Sequence, residues 1–488
     1  MLRVTLALTL LLVAVAASAR PLTPAEFALV DRVTWGANAG DAARFTAMGR
    51  ERWLAAQLRP PAGDALPATV AAQVAALPIS RVDMPAEVVT LEAGYAKAKL
   101  SRNPHEAAML LGGYQGRLSE LGDATLQRAL LRAVYSPAQL REQMSWFWFN
   151  HFNVLSWNVP LRAMIADYED RAIRPHALGR FRDLLEATLR HPAILRYLSN
   201  ESNTATTLNE NYARELLELH TMGVGSGYTQ ADVQALARIL TGVGFSTLAD
   251  SPKLTRGGIR DRLFQFDPAA HDFGDKLLLG HKIVGSGYGE VGQALDILAR
   301  EPATATRVAT RLAQFFVADV PPPALVKRLA ARFTATDGDI AAVLAALFDA
   351  PEFAASTATR FKDPVHYTLG AMRLVLEARP VATMQPAANW LNLQGEGLYV
   401  RVTPDGYPLA EGEWNGSGQL TMRFGMAGAI ATARELQPVG ELPPLRQRIA
   451  AAGLFPNLSP ATRSALAEAQ GDAEWTQLLL SSPEFMRR

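Results

Sequence analysis

The chain is 488 residues long, 49% hydrophobic and close to neutral, with 48 basic against 47 acidic residues and no cysteine. This length and apolar content supply a sizeable core in two or three subdomains, while the missing basic excess excludes a nucleic-acid binder. Without cysteine there are no disulfides, thiolate nucleophiles, Cys-ligated zinc, iron–sulfur clusters or covalent haem, a composition that avoids mispairing in an oxidising compartment.

Arg3 precedes an apolar run from Val4 to Ala17, and Ala17-Ser18-Ala19 closes it. This is the pattern of a secretory signal peptide over 1–19, cut after Ala19; the run falls short of the roughly 20 residues that a membrane span needs. No Arg-Arg pair precedes it, so the general export route is expected, to the periplasm or beyond. No later stretch is apolar enough to cross a bilayer, so no transmembrane segment is expected in the mature chain.

Residues 20–120 read as an N-terminal helical region. Two helices are expected between Ala25 and Pro61, then an Ala- and Pro-rich connector from Gly63 to Asp83, then a long helix over 86–120 interrupted at Ser101-Arg102-Asn103-Pro104. A central helical core follows over 121–245. Ser136-Pro137-Ala138-Gln139 has the form of a capping box. The helix after it places Leu140, Met144, Phe147 and His151 on one face, and Trp146, Trp148, Phe149 and Phe152 make it aromatic nearly all round, hence deeply buried.

The densest polar stretch of this core is NENYARELLELH, residues 209–220. On an α-helical wheel Tyr212, Ala213, Leu216, Leu217, Leu219 and His220 take one side, and Glu210, Asn211, Arg214, Glu215 and Glu218 the other. Arg214 stands four residues from Glu210 and from Glu218, so it can bridge both carboxylates. A glycine turn follows, and Thr229-Gln230-Ala231-Asp232 forms a second capping box opening a second helix.

Residues 246–290 change texture: short apolar runs among Gly, Asp and Pro predict a small β-hairpin or irregular insert near 255–289. Helices are expected again over 291–430, with a Gly-, Pro- and aromatic-rich loop at 395–418, and short helices over 431–488. Apolar helix ends followed by proline recur at Pro192, Pro302, Pro351 and Pro483 with unequal gaps, which points to helix–helix corners rather than a repeat fold. The fold class expected is therefore mainly α, a multi-helix globular array with one small insert.

The same stretches carry a resemblance. NENYARELLELHTMGV and GYTQADVQALARILTG occur together with Val33-Thr34-Trp35-Gly36, Trp148-Phe149-Asn150-His151-Phe152-Asn153, His271-Asp272-Phe273-Gly274 and Pro404-Asp405-Gly406-Tyr407-Pro408. In this order they resemble the bacterial family known as domain of unknown function 1800, over nearly the whole mature chain; Tyr407 stands where the family pattern leads one to expect tryptophan. The resemblance implies an exported bacterial protein and no particular reaction. It also implies a candidate partner, a co-encoded secreted protein resembling the alkaline-phosphatase superfamily.

Chemistry has several places to sit. His151, His220 and His271, with Asp272, either converge on one divalent metal or catalytic centre or are hydrogen-bonded core residues. Glu215 and Glu218 share a face, as an acid/base pair or as part of a salt-bridge lattice with Arg214. Asp267, Asp272 and Asp275 lack the EF-hand spacing, so a solvated turn is expected there. Gly287-Tyr288-Gly289-Glu290-Val291-Gly292 matches GxGxxG without a βαβ unit, so no nucleotide is expected. Tyr407 and Trp414 either stack on a polysaccharide from an exposed loop or plug the core.

Two readings follow. In the first, the protein is an exported polymer- or protein-binding or assembly factor without a recognisable catalytic signature, with Asn150, Asn211, Arg214, Asp272, Tyr407 and Trp414 as binding residues. In the second, it is a metal-assisted hydrolase or oxidoreductase centred on His151, His220, His271 and Glu215 or Glu218.

Overall fold

A computed structural model describes residues 20–156, 161–248 and 253–488; the expected signal peptide lies outside them. The chain is mainly α-helical, and among the described residues strands are confined to 243–283. Among the described residues no helix is long and apolar enough to cross a membrane. Buried apolar side chains form one contiguous cluster from Leu22 to Met486, into which the helix Gln139–His151 contributes Leu140, Met144, Phe147, Trp148 and Phe149.

The expected long helix is two, Met84–Leu100 and Pro104–Tyr135, parted at the predicted interruption; Asn103 accepts hydrogen bonds from the His105 and Glu106 amides and restarts the helix. The region before it holds three helices, Pro24–Val33, Ala39–Met48 and Arg50–Leu58, where two were expected. The connector 63–83 is also more ordered than its composition suggests, for the helix Ala68–Ala76 buries Val70 and Val74 there. Alanine's helix propensity prevails over the flanking prolines.

The Ser136–Gln139 capping box does not form. Gln139 instead donates to the carbonyls of Ala133 and Ser136 and accepts the Trp35 amide, so its side chain staples the first helical region to the core. The box at Thr229 forms as expected: Thr229 accepts the Asp232 amide and Asp232 accepts the Thr229 amide.

The insert is a three-stranded antiparallel sheet, Val243–Phe245, Phe264–Phe266 and Ile259–Asp261 in spatial order, followed by a hairpin of Lys276–Leu278 with His281–Ile283. Phe264 and Phe266 face the core while Gln265 between them is only partly covered, the alternation of a half-buried strand. The sequence expectation of one hairpin undercounts because Val243–Phe245 directly follows the helix Gln230–Ile239. At Pro192, Pro302 and Pro351 one helix ends and another begins at the proline, as corners do.

Candidate functional site

The stretch 209–220 is not one regular helix. Asn211–Glu215 is α-helical and Leu216–His220 a π-turn, so one extra residue is accommodated before the chain turns at Gly223, where φ is +97°. The last turn frees carbonyls that need donors. Thr221 Oγ1 takes Leu216 O at 2.7 Å, Arg307 Nε takes Leu219 O at 3.1 Å, and His151 Nε2 takes His220 O at 3.0 Å. His151 thus ends the central helix by donating to its final carbonyl. Burial, the guanidiniums of Arg311 and Arg307, and the His220 imidazole hold His151 well below its ordinary pKa, against the hydrogen bond to the His220 carbonyl.

His220 lies 6.2 Å from the His151 ring, packed on Phe152 and Tyr212, fully buried and with neither ring nitrogen hydrogen-bonded. Burial first, then Arg307, lowers its pKa to about 3. An unfolded histidine titrates near 6.5, so below that pH the unfolded chain gains a proton that the folded chain refuses. Stability is whole above that value and declines as pH falls towards the folded pKa. By pH 5 His220 alone is expected to withdraw about 2 kcal/mol. Urea midpoints of wild type and His220→Phe over this range check it: the variant should show the shallower decline, and equal slopes would sink the assignment.

Above this pair lies the segment 401–408. Asn150 donates to Tyr407 O at 2.9 Å and accepts the Tyr407 amide at 2.5 Å; Asn153 donates to Arg401 O and Thr403 O; Tyr197 donates to Val402 O. Gly406, at φ +75°, lies so close that a Cβ would stand 2.0 Å from Asn150 O. Both asparagines therefore work as clamps on the segment. Tyr407 and Trp414 are turned inward, 7% and 5% exposed, with Tyr407 bonded to Gly397 O and Trp414 to Pro408 O. They plug the core; the alternative of exposed stacking rings is set aside.

The clamp brings Asp405 beside the central helix. Glu215 is half-buried, and its pKa is raised by burial, by Glu218 and by Asp405, against the pull of Arg214. Arg214 pairs with Glu210 at 3.0 Å and Glu218 at 3.6 Å, as its spacing predicts. Asn211 donates to Leu198 O, which ties the helix start to the preceding turn. Arg311, whose Nε and Nη2 are buried without partners, is lowered to about 10 by burial and by Arg307, with Asp405 opposing. Glu218 and Asp405 thus act on Glu215, while the guanidiniums of Arg307 and Arg311 act on the His151–His220 pair.

Sequence reasoning missed Asp405, Arg307 and Arg311. The signal existed: Arg307 and Arg311 stand four apart in Pro302–Phe316, a helix otherwise built from apolar and small residues with little polar company.

His271 belongs to a different set of partners. Its Nδ1 is bonded to Thr241, and its Nε2 lies 3.0 Å from Glu290 Oε1. Glu290 also accepts Lys276 Nζ at 2.5 Å, Ser286 N at 2.7 Å and Gly287 N at 2.9 Å, with the Glu290 and Lys276 side chains buried in the core. The GxGxxG turn thus directs its amides at the chain's own carboxylate. Asp272 pairs with Arg238, Asp275 with Lys282, and Asp267 accepts the Ala269 amide. Among the described residues no group of three His, Cys, Asp or Glu is placed to hold a metal ion. The structure brings His151 together with His220, and Glu215 together with Glu218, as two separate pairs, and ties His271 and Asp272 into another network.

No curated protein matches the chain, and no solved structure does. A family model described as "Protein of unknown function (DUF1800)" matches residues 28–487. With landmarks from Trp35 to Tyr407 inside that span, the chain belongs to the DUF1800 family.

Proposed function

We propose that the protein is an exported factor of the cell envelope or extracellular space that binds a polymer or a partner protein, the co-encoded alkaline-phosphatase-like protein being one candidate. One observation carries this reading: the motif amides of Asn150 and Asn153 and the imidazoles of His151 and His271 spend their hydrogen bonds on the molecule itself. Asn150 and Asn153 hold the 401–408 segment, His151 ends a helix, His271 closes a buried network and Asp272 pairs with Arg238. The motifs then act as architecture that presents a fixed surface.

A second reading, acid–base chemistry, is favoured by a specific feature. Glu215 is half-buried with a raised pKa beside Glu218 and Asp405, the environment in which one carboxyl holds a proton that its neighbours give up.

One experiment separates them. The tagged chain is expressed, its mature N-terminus is sequenced, and the purified protein is co-sedimented with isolated envelope polymer. The binding reading expects an N-terminus at Arg20, retention on the polymer and no soluble fragments. Release of fragments that stops in Glu215→Gln would replace binding by hydrolysis. A cytoplasmic protein without retention or release would overturn both.

A further inference from the structure

A surface pocket of about 280 Å³ opens between the helices Pro104–Tyr135 and Gln385–Leu393, with Ser119, Asp123, Arg162, Gln385, Asn392 and Tyr399 in its wall. Three local irregularities border it, and each leaves room for a polar group or fixes the wall. The first is Gly122, inside a helix where glycine is less stable than alanine. Of that helix's four glycines it alone has a neighbour within 4 Å among the described residues: a Cβ would stand 2.8 Å from Arg162 Cδ. The missing methyl lets the Arg162 stem cross the helix, with Nη1 3.5 Å from Ser119 Oγ. The second is Gly397, where a Cβ would stand 1.8 Å from Asn392 Oδ1, so the glycine backs that amide.

The third is Tyr399, a bulky residue at φ +63°. That conformation persists only where neighbours over-determine it. Here the Ser156 amide bonds to its carbonyl, its ring packs 4.6 Å from the Phe149 ring, and its hydroxyl donates to the Glu169 carboxylate. Strained backbone clusters at ligand sites, and the strained Tyr399 lines this pocket together with the close-approach glycine Gly122.

We propose that this pocket binds one ring of a saccharide. Its volume falls just below the roughly 300 Å³ at which drug-sized sites begin, which suits a single ring. A carboxylate, a guanidinium, two amides and a hydroxyl offer donors and acceptors in alternation, which vicinal hydroxyls satisfy by doing both. Asp123 and Arg162 balance in charge, so a neutral ligand fits better than an ionic one. The inference rests on the polymer-binding reading above and names the surface and the ligand class for it.

The test uses the purified chain and four probes: chitotetraose, cellotetraose, maltotetraose and mannotetraose, followed by titration calorimetry. At least one is expected to bind with a Kd at or below about 1 mM. Asp123→Ala and Asn392→Ala, both at exposed positions, are expected to weaken it tenfold or more without changing the melting temperature. Gly122→Ala should do the same by displacing Arg162, although alanine favours the helix. Failure of all four probes to bind, or binding that survives Asp123→Ala and Asn392→Ala, would overturn the proposal. If envelope polymer is retained while the pocket variants retain it equally, this pocket is wrong and the binding reading stands; loss of both removes both.

Discussion

Truncating Glu290 to alanine is expected to remove about 3–5 kcal/mol of folding free energy, the range for deleting one member of a buried ion pair. The carboxylate accepts from Lys276, His271 and two backbone amides, and neither it nor the Lys276 side chain has exposed surface. Without it the buried Lys276 ammonium, the His271 ring N–H and the Ser286 and Gly287 amides lose their shared acceptor, which costs more than the bonds themselves were worth. Glu290→Gln keeps the shape and loses the charge, so it should fall between wild type and alanine. Urea titration at constant slope measures each; a deficit under about 1 kcal/mol would mean that water reaches the site.

The pH dependence has a definite sign. Burial pushes the Glu290 carboxyl up, but the donors from Lys276, His271, Ser286 and Gly287 outweigh it, and the folded pKa lies below its ordinary value. The stabilisation is complete above the unfolded carboxylate's pKa and fades as pH falls through the lower, folded one. The alanine variant's deficit should therefore be full at neutral pH and shrink in acid.

Gly406→Ala is expected to cost about 2–4 kcal/mol, combining a left-handed backbone with an overpacked contact. Its Cβ would run into Asn150 O, the residue whose side chain clips the next peptide from both sides. Relief requires the 401–408 segment to lift. Limited proteolysis should then cut within that segment faster than in wild type, and the Glu215 carboxyl should titrate lower as burial and Asp405 withdraw. Cleavage at the wild-type rate would show that the segment is held by something other than Asn150.

What the sequence made legible was local. Thr229 caps as a Thr-x-x-Asp string should, because that cap depends on contacts within a turn. Ser136–Gln139 has the same kind of string, yet Gln139 finds better partners at Ala133, Ser136 and Trp35. Tertiary contacts overrode the local rule there. The site divided along the same line. The Arg214 bridge lies within one helix and was readable; the separation of His271 from His151 was not, since it depends on where Glu290 meets the insert. A wheel at about 100° per residue also could not anticipate the π-turn.

That wider turn carries an evolutionary implication. Excising one residue from Leu216–His220 would restore ordinary α geometry and swing the preceding segment by about 100° about its axis. The rotation would carry Glu215 away from Asp405 while His151 could still find a terminal carbonyl. The same rotation would swing the buried Tyr212 and Ala213 off the core face, so the single-codon deletion that dismantles the acidic group would also cost core packing, and the wider turn keeps both faces of the helix in place together.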